Sequence, residues 1–291
     1  MNETVKQAKS GNQWPHSKNK KGEEIMAISI DLSGQTALIT GSATGLGASI
    51  ATKLAEIGAN VILNYTKSQK EAEETADVCR SHGAQVQLVQ ANVGDEDGCK
   101  DLALAASQNG RLEMLVNNAG ITKQAPDHSD LGALEKRDFL RLYEVNVVGP
   151  YMMVQACEKL LRTSHQQAGK AARVLNISSI AGVVGIGSSV AYAATKGALN
   201  TMTLSLSRAL APEIRVNAIC PGFIGTRWFR DHLGPEKYEG FEASVQKATP
   251  LKVASGPDDI ADSAVFFLID LSRHITGETL LVDAGTHLGF A

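Results

Sequence analysis

The chain has 291 residues, 43% hydrophobic and 20% charged, so it can bury a full core as one large domain or two small ones. A net charge of -3 provides no basic face for nucleic acid, and no apolar run approaches the roughly 20 residues that span a membrane. Four scattered cysteines and seven scattered histidines form no ligand cluster, which predicts free thiols, a cytoplasmic location and no metal.

Residues 1–30 differ from the rest of the chain because they are polar, rich in lysine and lack a clear hydrophobic period. This composition predicts a disordered extension, or an upstream start with Met26 as the working first residue. The segment has no apolar stretch of the kind a signal peptide needs, and its acidic residues are untypical of a transit peptide. A basic arm that contacts a partner is the remaining alternative.

From Leu32 onward, short runs rich in Val, Ile and Leu alternate with longer amphipathic stretches. The short runs predict buried parallel strands at 36–40, 60–64, 85–90, 112–116, 172–178, 214–220 and 278–282. The longer stretches predict helices at 46–57, 68–82, 95–109, 134–162, 190–211 and 257–270. This alternation predicts an α/β fold: a doubly wound Rossmann-type sandwich with a seven-stranded, mainly parallel sheet and helices on both faces. Residues 31–291 are expected to form a single domain.

A glycine-rich turn, TGSATGLG, follows the first predicted strand and opens the first predicted helix. Gly41, Gly45 and Gly47 permit positive φ and allow a pyrophosphate to approach the backbone. The helix N-terminus supplies N–H groups to the phosphates, and Ser42 and Thr44 are expected to add hydroxyl donors. The pattern and its position predict a dinucleotide site.

The end of the second strand predicts which dinucleotide binds. NAD enzymes usually place a carboxylate there for the ribose hydroxyls, but this chain has Tyr65, followed by Thr66 and Lys67. No negative charge repels a 2′-phosphate, and Lys67 with the nearby hydroxyls can bind one. The sequence therefore favours NADP(H) over NAD(H), unless Lys67 is only a solvated loop residue.

A second constellation consists of Ser179, Tyr192 and Lys196. Tyrosine is a poor acid-base catalyst at neutral pH because its reference pKa is near 10, and a lysine ammonium held close lowers that value. Tyr192 and Lys196 are four residues apart on a predicted helix and share a face. Ser179 follows the preceding strand and is expected to hydrogen-bond a reacting carbonyl oxygen. The combination predicts a redox enzyme that acts on a carbonyl or an alcohol.

These motifs resemble those of the short-chain dehydrogenase/reductase family, in its compact single-domain form. The resemblance covers the chain from about Leu32 to the C-terminus. The matching segments include TGSATGLG (40–47), NNAG (117–120), NISS (176–179), YAATK (192–196), RVNAICPG (215–222) and ITGETLLVDAG (275–285). NNAGIT, PGFIGT and ITGETL look most like 3-oxoacyl-[acyl-carrier-protein] reductases.

The resemblance implies a role for each catalytic residue. Tyr192 would protonate the carbonyl oxygen, and Lys196 would lower its pKa and bind the nicotinamide ribose. Ser179 would orient the substrate oxygen, and Asn146 would hold a water that links Lys196 to solvent. The implied cofactor contacts are Gly41, Ser42, Thr44, Gly45, Leu46, Gly47, Tyr65, Thr66, Asn92, Val93, Asn118, Ala119, Gly120, Tyr192, Lys196, Pro221, Gly222, Ile224 and Thr226.

The chain departs from the family pattern at three places. Asn92 stands where the family usually has an aspartate that meets the adenine. Residues 121–138, the inserted segment, are a few residues longer than expected and are predicted to shape the substrate mouth. A second apparent insertion, residues 164–172, lies between a predicted helix and a strand, away from the site. Neutral loop variation is the alternative for both insertions.

Residues 223–250 are predicted to form a lid, although they do not identify a substrate. Their aromatic residues either wall an apolar pocket or pack a pair of helices, and their arginines either meet an anionic group or are solvated. The aromatic residues are Trp228, Phe229, Tyr238 and Phe241, and the arginines are Arg227 and Arg230.

Three functions remain open at this point. The leading hypothesis is an NADPH-dependent ketone reductase, with a 3-oxoacyl thioester as one candidate substrate. The alternatives are a reductase or dehydrogenase of a sugar, polyol, steroid or xenobiotic ketone, and a non-catalytic cofactor-binding sensor. The resemblance also implies a homotetramer, built on the long helices that carry Asn146 and Tyr192; the small residues of 190–211 either serve that interface or pack inside the monomer.

Overall fold

The computed structural model describes residues 16–18, 24–26, 30–226 and 234–289. The chain divides into two compact units, Met1–Asp31 and Leu32–Ala291. In the first unit, β1 (His16–Lys18) and β2 (Glu24–Met26) form an antiparallel pair. Hydrophobic periodicity cannot predict these strands, because a run of three residues is too short to show a period.

The second unit contains a seven-stranded parallel sheet in the order β5-β4-β3-β6-β7-β8-β9. Its strands are β3 (Thr36–Ile39), β4 (Asn60–Tyr65), β5 (Val86–Gln90), β6 (Met114–Asn117), β7 (Ala172–Ile177), β8 (Ile214–Pro221) and β9 (Thr279–Val282). The predicted α/β fold and its seven strands are confirmed. The strand order reverses between β3 and β6, and this switch point is where open parallel sheets bind ligands.

Helices cover both faces of the sheet and bury two apolar layers. One layer includes Ile50 and Leu268, and the other includes Leu102 and Leu161. The α-helices are α1 (Gly45–Glu56), α2 (Gln69–Ser81), α3 (Glu96–Ser107), α4 (Lys136–Tyr143), α5 (Gly149–Ala168), α6 (Ala181–Val184), α7 (Val190–Leu210), α8 (Pro235–Ala248) and α9 (Pro257–Leu268). Within the described residues, no helix has both the length and the apolar character needed to cross a membrane.

The stretch 134–162, predicted as one helical segment, is divided by a π-helical turn at Glu144–Val148. Pro150 lacks an N–H, so the Asn146 carbonyl has no α-helical donor four residues further on. The second helix then continues to Ala168 and ends at Gly169, whose φ of 66° is typical of a C-terminal cap. The first five residues of the second apparent insertion, 164–172, therefore belong to α5 rather than to a loop.

Candidate active site

The glycine-rich turn can pack as closely as it does only because it lacks side chains. Gly41 and Gly45 have φ values of 61° and 59°, which other residues rarely adopt. A Cβ on Gly47 would lie 2.5 Å from Asn118 Nδ2 and 2.6 Å from the Gly41 oxygen. A Cβ on Gly41 would lie 2.9 Å from the Ala119 Cα. The turn is thus closely packed against residues 118 and 119, which follow β6 on the other side of the switch point.

The first turn of α1 faces the same space. Thr44 is the N-cap residue, is exposed and makes no side-chain capping hydrogen bond. The first N–H groups of α1 are consequently suited to an anion, with the positive end of the helix dipole behind them. Leu46 lies in this turn, with its side chain buried in the core below.

The Ser42 hydroxyl does not take the predicted role of a phosphate donor. It donates to the Ile39 carbonyl at 2.8 Å and accepts from the Asn64 N–H at 3.0 Å. The side chain is fully buried. A hydroxyl held in this way positions the turn but is not available as the predicted phosphate donor.

Two residues that are not among the predicted cofactor contacts, Thr40 and Asn64, hold the turn in place. Asn64 accepts a hydrogen bond from the Gly41 N–H at 3.0 Å and donates to the Ala91 carbonyl at 2.9 Å. The Thr40 hydroxyl accepts from the N–H groups of Asn118 and Ala119, both at 3.0 Å. The only sequence signal for Asn64 is a polar residue inside an otherwise apolar buried strand.

Asn118 completes this framework. Its amide donates to the carbonyls of Thr40 and Gly41 at 2.9 and 2.8 Å. Gly120 lies further along, where a Cβ would be 3.6 Å from Lys196 Nζ. The NNAG segment therefore runs from the glycine-rich turn to the predicted catalytic lysine.

The residues predicted to select the cofactor lie at the ends of β4 and β5. Tyr65 is partly buried, whereas Thr66 and Lys67 are exposed. Asn92 is exposed; its side-chain oxygen accepts from the Gly94 N–H, and its amide donates to Asp95 at 2.8 Å. Val93 is buried beneath it. Asn92 thus shapes its own loop, and no carboxylate stands at the end of β4.

Lys196 is buried, with 4% of its surface exposed. Its Nζ donates to the Ile177 carbonyl at 2.8 Å and lies 5.6 Å from the centre of the Tyr192 ring. Burial lowers the pKa of Lys196 to about 8. The structure brings the two residues to one face of α7, as their spacing predicts.

The direction of the Tyr192 pKa differs from the prediction. Burial raises the pKa of Tyr192, and a hydrogen bond with the Ser179 side chain opposes that rise. Lys196 does not reverse it because its ammonium is directed to the Ile177 carbonyl. Tyr192 is therefore protonated at neutral pH, which is the form that an acid catalyst needs.

Ser179 is oriented toward this tyrosine. Its Oγ accepts a hydrogen bond from the Ala181 N–H at 3.1 Å. With one lone pair engaged, the hydroxyl hydrogen remains to be donated to Tyr192 or to a substrate oxygen. Ser178, its neighbour, instead donates to the Lys196 carbonyl at 3.2 Å, so the two serines point in different directions.

Asn146 lies in the π-helical turn and is completely buried. Its side chain accepts from the Ile121 N–H and donates to the Ile121 carbonyl, both at 2.9 Å, and also donates to Thr195. These bonds use both amide hydrogens, so the side chain fixes the start of the inserted segment.

The segment after β8 closes the other side of the crevice. Gly222 packs so closely on Asp283 that a Cβ would lie 2.8 Å from the aspartate Cβ. Pro221 is buried at the end of β8, and Ile224 packs against the core. The Thr226 methyl faces Gly45, where it would meet a Cβ at 3.4 Å. The predicted nicotinamide-side residues and the glycine-rich turn therefore face each other.

The aromatic side chains of the predicted lid, residues 223–250, lie in different surroundings. Tyr238 is buried and donates to Glu242 at 2.8 Å, so it packs under Gly225 rather than forming a pocket wall. Phe241 makes an edge-to-face contact with Phe223, with ring centres 5.5 Å apart. The predicted roles of residues 227–230 lie outside the described residues: Arg227, Trp228, Phe229 and Arg230.

Comparisons with known proteins identify the family of this chain. A family model described as Enoyl-(Acyl carrier protein) reductase matches residues 41–287. The chain is 35% identical over 257 residues to the 3-oxoacyl-[acyl-carrier-protein] reductase FabG of Staphylococcus aureus (strain Mu50), covering 87% of this chain and 98% of that protein. It is also similar to a Burkholderia xenovorans structure described as a short-chain dehydrogenase/reductase, with a TM-score of 0.80, 37% identity and coverage of 88% and 98%. The RhlG/NADP active-site complex of Pseudomonas aeruginosa has a TM-score of 0.80 and 30% identity, with coverage of 90% and 100%.

Proposed function

The chain belongs to the short-chain dehydrogenase/reductase family and is an NAD(P)(H)-dependent oxidoreductase, and we propose that it reduces a ketone to a secondary alcohol with NADPH. The observation that carries the proposal is the buried Lys196, whose Nζ lies 5.6 Å from the centre of the Tyr192 ring, with Ser179 beside the same tyrosine. We propose these three residues, with Asn146, as the catalytic set.

The residues of the crevice fit a dinucleotide. A Cβ at Gly41 or Gly47 would overlap Ala119 or Asn118 and displace the turn, and the uncapped start of α1 suits a pyrophosphate. We propose that the backbone of residues 41–47 holds the phosphates, that residues 118–120 line the adenosine side, and that Pro221, Gly222, Ile224 and Thr226 line the nicotinamide side. Bound NADPH supplies a hydride to the carbonyl carbon.

The chain itself supplies the proton. The Tyr192 hydroxyl donates its proton to the carbonyl oxygen as negative charge develops there. The Ser179 hydroxyl donates a second hydrogen bond to the same oxygen. The Lys196 ammonium stabilises the phenolate that remains. A proton from solvent then restores the Tyr192 hydroxyl for the next turnover. One hydride and one proton then convert the ketone to the alcohol.

Preference for NADPH rests on the end of β4. Lys67 is exposed next to Thr66, and a carboxylate is missing at Tyr65 where NAD enzymes usually have one. An ammonium group favours a 2′-phosphate and gains nothing from a 2′-hydroxyl. The RhlG/NADP complex supports this choice because its structure is similar to this chain.

We also propose a cytoplasmic homotetramer in which residues 31–291 act as one catalytic domain and residues 1–30 are an extension not needed for activity. Exposed apolar side chains on α4, the π-helical turn, α5 and α7 support the interface: Leu140, Val148, Tyr151 and Leu204. Gly197, by contrast, packs on α6 within the chain, so the small-residue stripe of α7 is not wholly an outer face.

A panel of substrates assayed with both NADH and NADPH tests the proposed function. Oxidation at 340 nm is expected with acetoacetyl-CoA and NADPH, and not with an enoyl thioester or a sugar ketone. Turnover of the sugar alone would favour the sugar or polyol alternative. Tight cofactor binding without turnover across the panel would favour the sensor.

A further inference from the structure

The C-terminal turn, residues 283–287, follows β9 directly. Asp283 begins this turn and is buried, with 6% of its surface exposed. No predicted catalytic or cofactor-binding residue belongs to the turn, but Pro221 of the proposed nicotinamide side pairs with Val282, the last residue of β9. We infer that Asp283 is a positioning residue, which fixes the nicotinamide side of the site and the two residues that flank the predicted lid. This inference rests on the proposed function.

The Asp283 carboxylate holds the turn together. Its oxygens accept from the main-chain N–H of Gly285 at 3.0 Å and from that of His287 at 2.8 Å. The ring nitrogen Nδ1 of His287 lies 3.0 Å from both oxygens, and it carries a proton because an ionised carboxylate can only accept. Hydrogen bonds to a charged acceptor are stronger than those between neutral groups, so the turn is fixed as a unit.

The residue that precedes the predicted lid packs on this turn. The Gly222 N–H donates to the Val282 carbonyl at 3.1 Å. A Cβ on Gly222 would lie 2.8 Å from the Asp283 Cβ and 3.0 Å from its Cα, so no space remains between the two backbones. Because Gly222 is proposed to line the nicotinamide side, a shift of Asp283 would move the wall of that side.

The residue that follows the predicted lid is bound to the same turn. The Leu251 N–H donates to the Ala284 carbonyl at 3.2 Å, and a Cβ on Gly285 would lie 3.0 Å from the Pro250 side chain. Ala284 has a φ of 54°, which a residue with a Cβ keeps only where its surroundings impose it. The bonds that Asp283 accepts from Gly285 and His287 enclose Ala284 and impose this conformation.

The proposed adenosine side of the site does not depend on this support. Asn64 and Asn118 hold the glycine-rich turn through hydrogen bonds to Gly41. Loss of the Asp283 carboxylate should therefore disturb the nicotinamide half of the site and leave the adenosine half as it is. A general loss of stability would not separate the two halves in this way.

Hydrogen exchange in Asp283→Asn tests the anchor itself. The amide that replaces one oxygen presents hydrogens to an N–H that had an acceptor, so that bond is lost and its donor is left unpaired. Exchange in peptides covering 222–226 and 249–253 should rise together by at least about tenfold, the effect of losing a hydrogen bond to a charged group. Exchange in the glycine-rich turn should not change.

Two cofactor measurements test the consequence for the reaction. Adenosine 2′,5′-bisphosphate, which represents only the adenosine half of NADPH, should bind Asp283→Asn with native affinity. Hydride transfer from bound NADPH to a ketone should slow by up to about 100-fold, because a small misplacement of reacting groups can cost that much. Fluorescence competition and single-turnover kinetics measure the two quantities.

Two further variants separate positioning from folding. His287→Ala removes one donor to the carboxylate, and because this side chain is 32% exposed the variant should fold and show the same effects more weakly. Asp270→Asn is the matched control: Asp270 binds Lys170 and Arg173, and Arg173 lies at the start of β7, at the opposite edge of the sheet. This change should lower the urea midpoint but leave lid-end exchange and hydride transfer at native values.

The outcomes separate this inference from the proposed function. Faster exchange at both lid ends, in a protein whose native form reduces no ketone, would reject the reductase and keep the anchoring role of Asp283. Ketone reduction by the native protein, with native exchange at either lid end in Asp283→Asn and His287→Ala, would overturn that role. Equal effects of Asp270→Asn and Asp283→Asn on exchange and hydride transfer would overturn it as well, since both would then report stability alone.

Discussion

The glycine-rich turn after β3 and the inserted segment after β6 lie at the same carboxyl edge of the sheet, yet different contacts hold them. Gly41 is fixed by Asn64, and Asn118 binds the carbonyls of both Thr40 and Gly41. The inserted segment is fixed through Asn146 at its start and by a few contacts to the turn before α7. The proposed cofactor side is thus a closely packed backbone framework, whereas the proposed substrate side is held by fewer side-chain contacts.

The largest effect is expected from Gly47→Val, which tests whether the turn tolerates a side chain. Its new atoms would overlap Asn118 and the Gly41 carbonyl, so NADPH affinity should fall by about 100-fold or more, since overpacking costs about 1–3 kcal/mol and also displaces the cradle. Cofactor fluorescence titration measures this.

Gly240→Ala is the control for this variant. Gly240 lies in α8 with nothing within 4 Å of a Cβ, so the change should leave cofactor affinity unaltered and raise stability by about 1 kcal/mol. Equal NADPH affinity in Gly47→Val and the native protein would contradict the claim that the glycine-rich turn does not tolerate a side chain.

Ser179→Ala is expected to reduce kcat/KM by about 100-fold, the loss typical of one donor to a developing oxyanion. The same change removes the hydrogen bond that lowers the pKa of Tyr192, so that pKa should move further up. Stopped-flow rates as a function of pH measure both effects. A loss confined to cofactor binding would mean that Ser179 does not orient the substrate.

Lys196→Met is expected to stabilise the protein by about 2 kcal/mol at pH 7, because the cost of burying the ammonium is removed. The gain is smaller than the free energy that corresponds to the pKa shift, because the hydrogen bond to the Ile177 carbonyl is lost as well. The pKa of Lys196 falls from 10.5 unfolded to about 8 folded, so the unfolded state binds more protons between those values. Burial of the charge therefore lowers stability below pH 8, and this penalty disappears as the pH rises toward 10.5. Urea unfolding at pH 7 and pH 10 measures it; an equal gain at both pH values would contradict the buried ammonium.

Lys67→Ala is expected to produce the smallest change. NADPH affinity should fall by about fivefold, since an exposed charged hydrogen bond is worth about 1 kcal/mol, and NADH affinity should stay the same. The ratio of the two dissociation constants, measured at low and high salt, checks this. A parallel loss for both cofactors would assign Lys67 to the fold instead of the 2′-phosphate.

The conformation of the glycine-rich turn could be predicted from the sequence because glycine spacing reports backbone conformation directly. The strands could be predicted for a similar reason, since buried parallel strands such as β8 are continuous apolar runs. Ser42 and Tyr192 show the limit of such predictions. The spacing of the motif does not reveal that the Ser42 hydroxyl donates to the Ile39 carbonyl instead of a ligand. It also does not reveal that the Lys196 ammonium is directed to the Ile177 carbonyl instead of the Tyr192 phenol, because both outcomes depend on tertiary contacts.

The substrate side was less predictable for a physical reason. The contact of His128 with Gly187 joins residues 59 positions apart, and neither belongs to a motif. The buried position of Tyr238 likewise depends on the close approach of Gly225. Side chains that line a mouth follow no period, so their partners become apparent only in the folded chain.

Single-turnover oxidation of bound NADPH by Tyr192→Phe tests the central claim most directly. The variant should bind NADPH with native affinity and transfer hydride to a ketone at least about 100-fold more slowly, because the carbonyl oxygen lacks its proton donor. Hydride transfer at the native rate with the cofactor fully bound would show that the Tyr192 hydroxyl is not the acid.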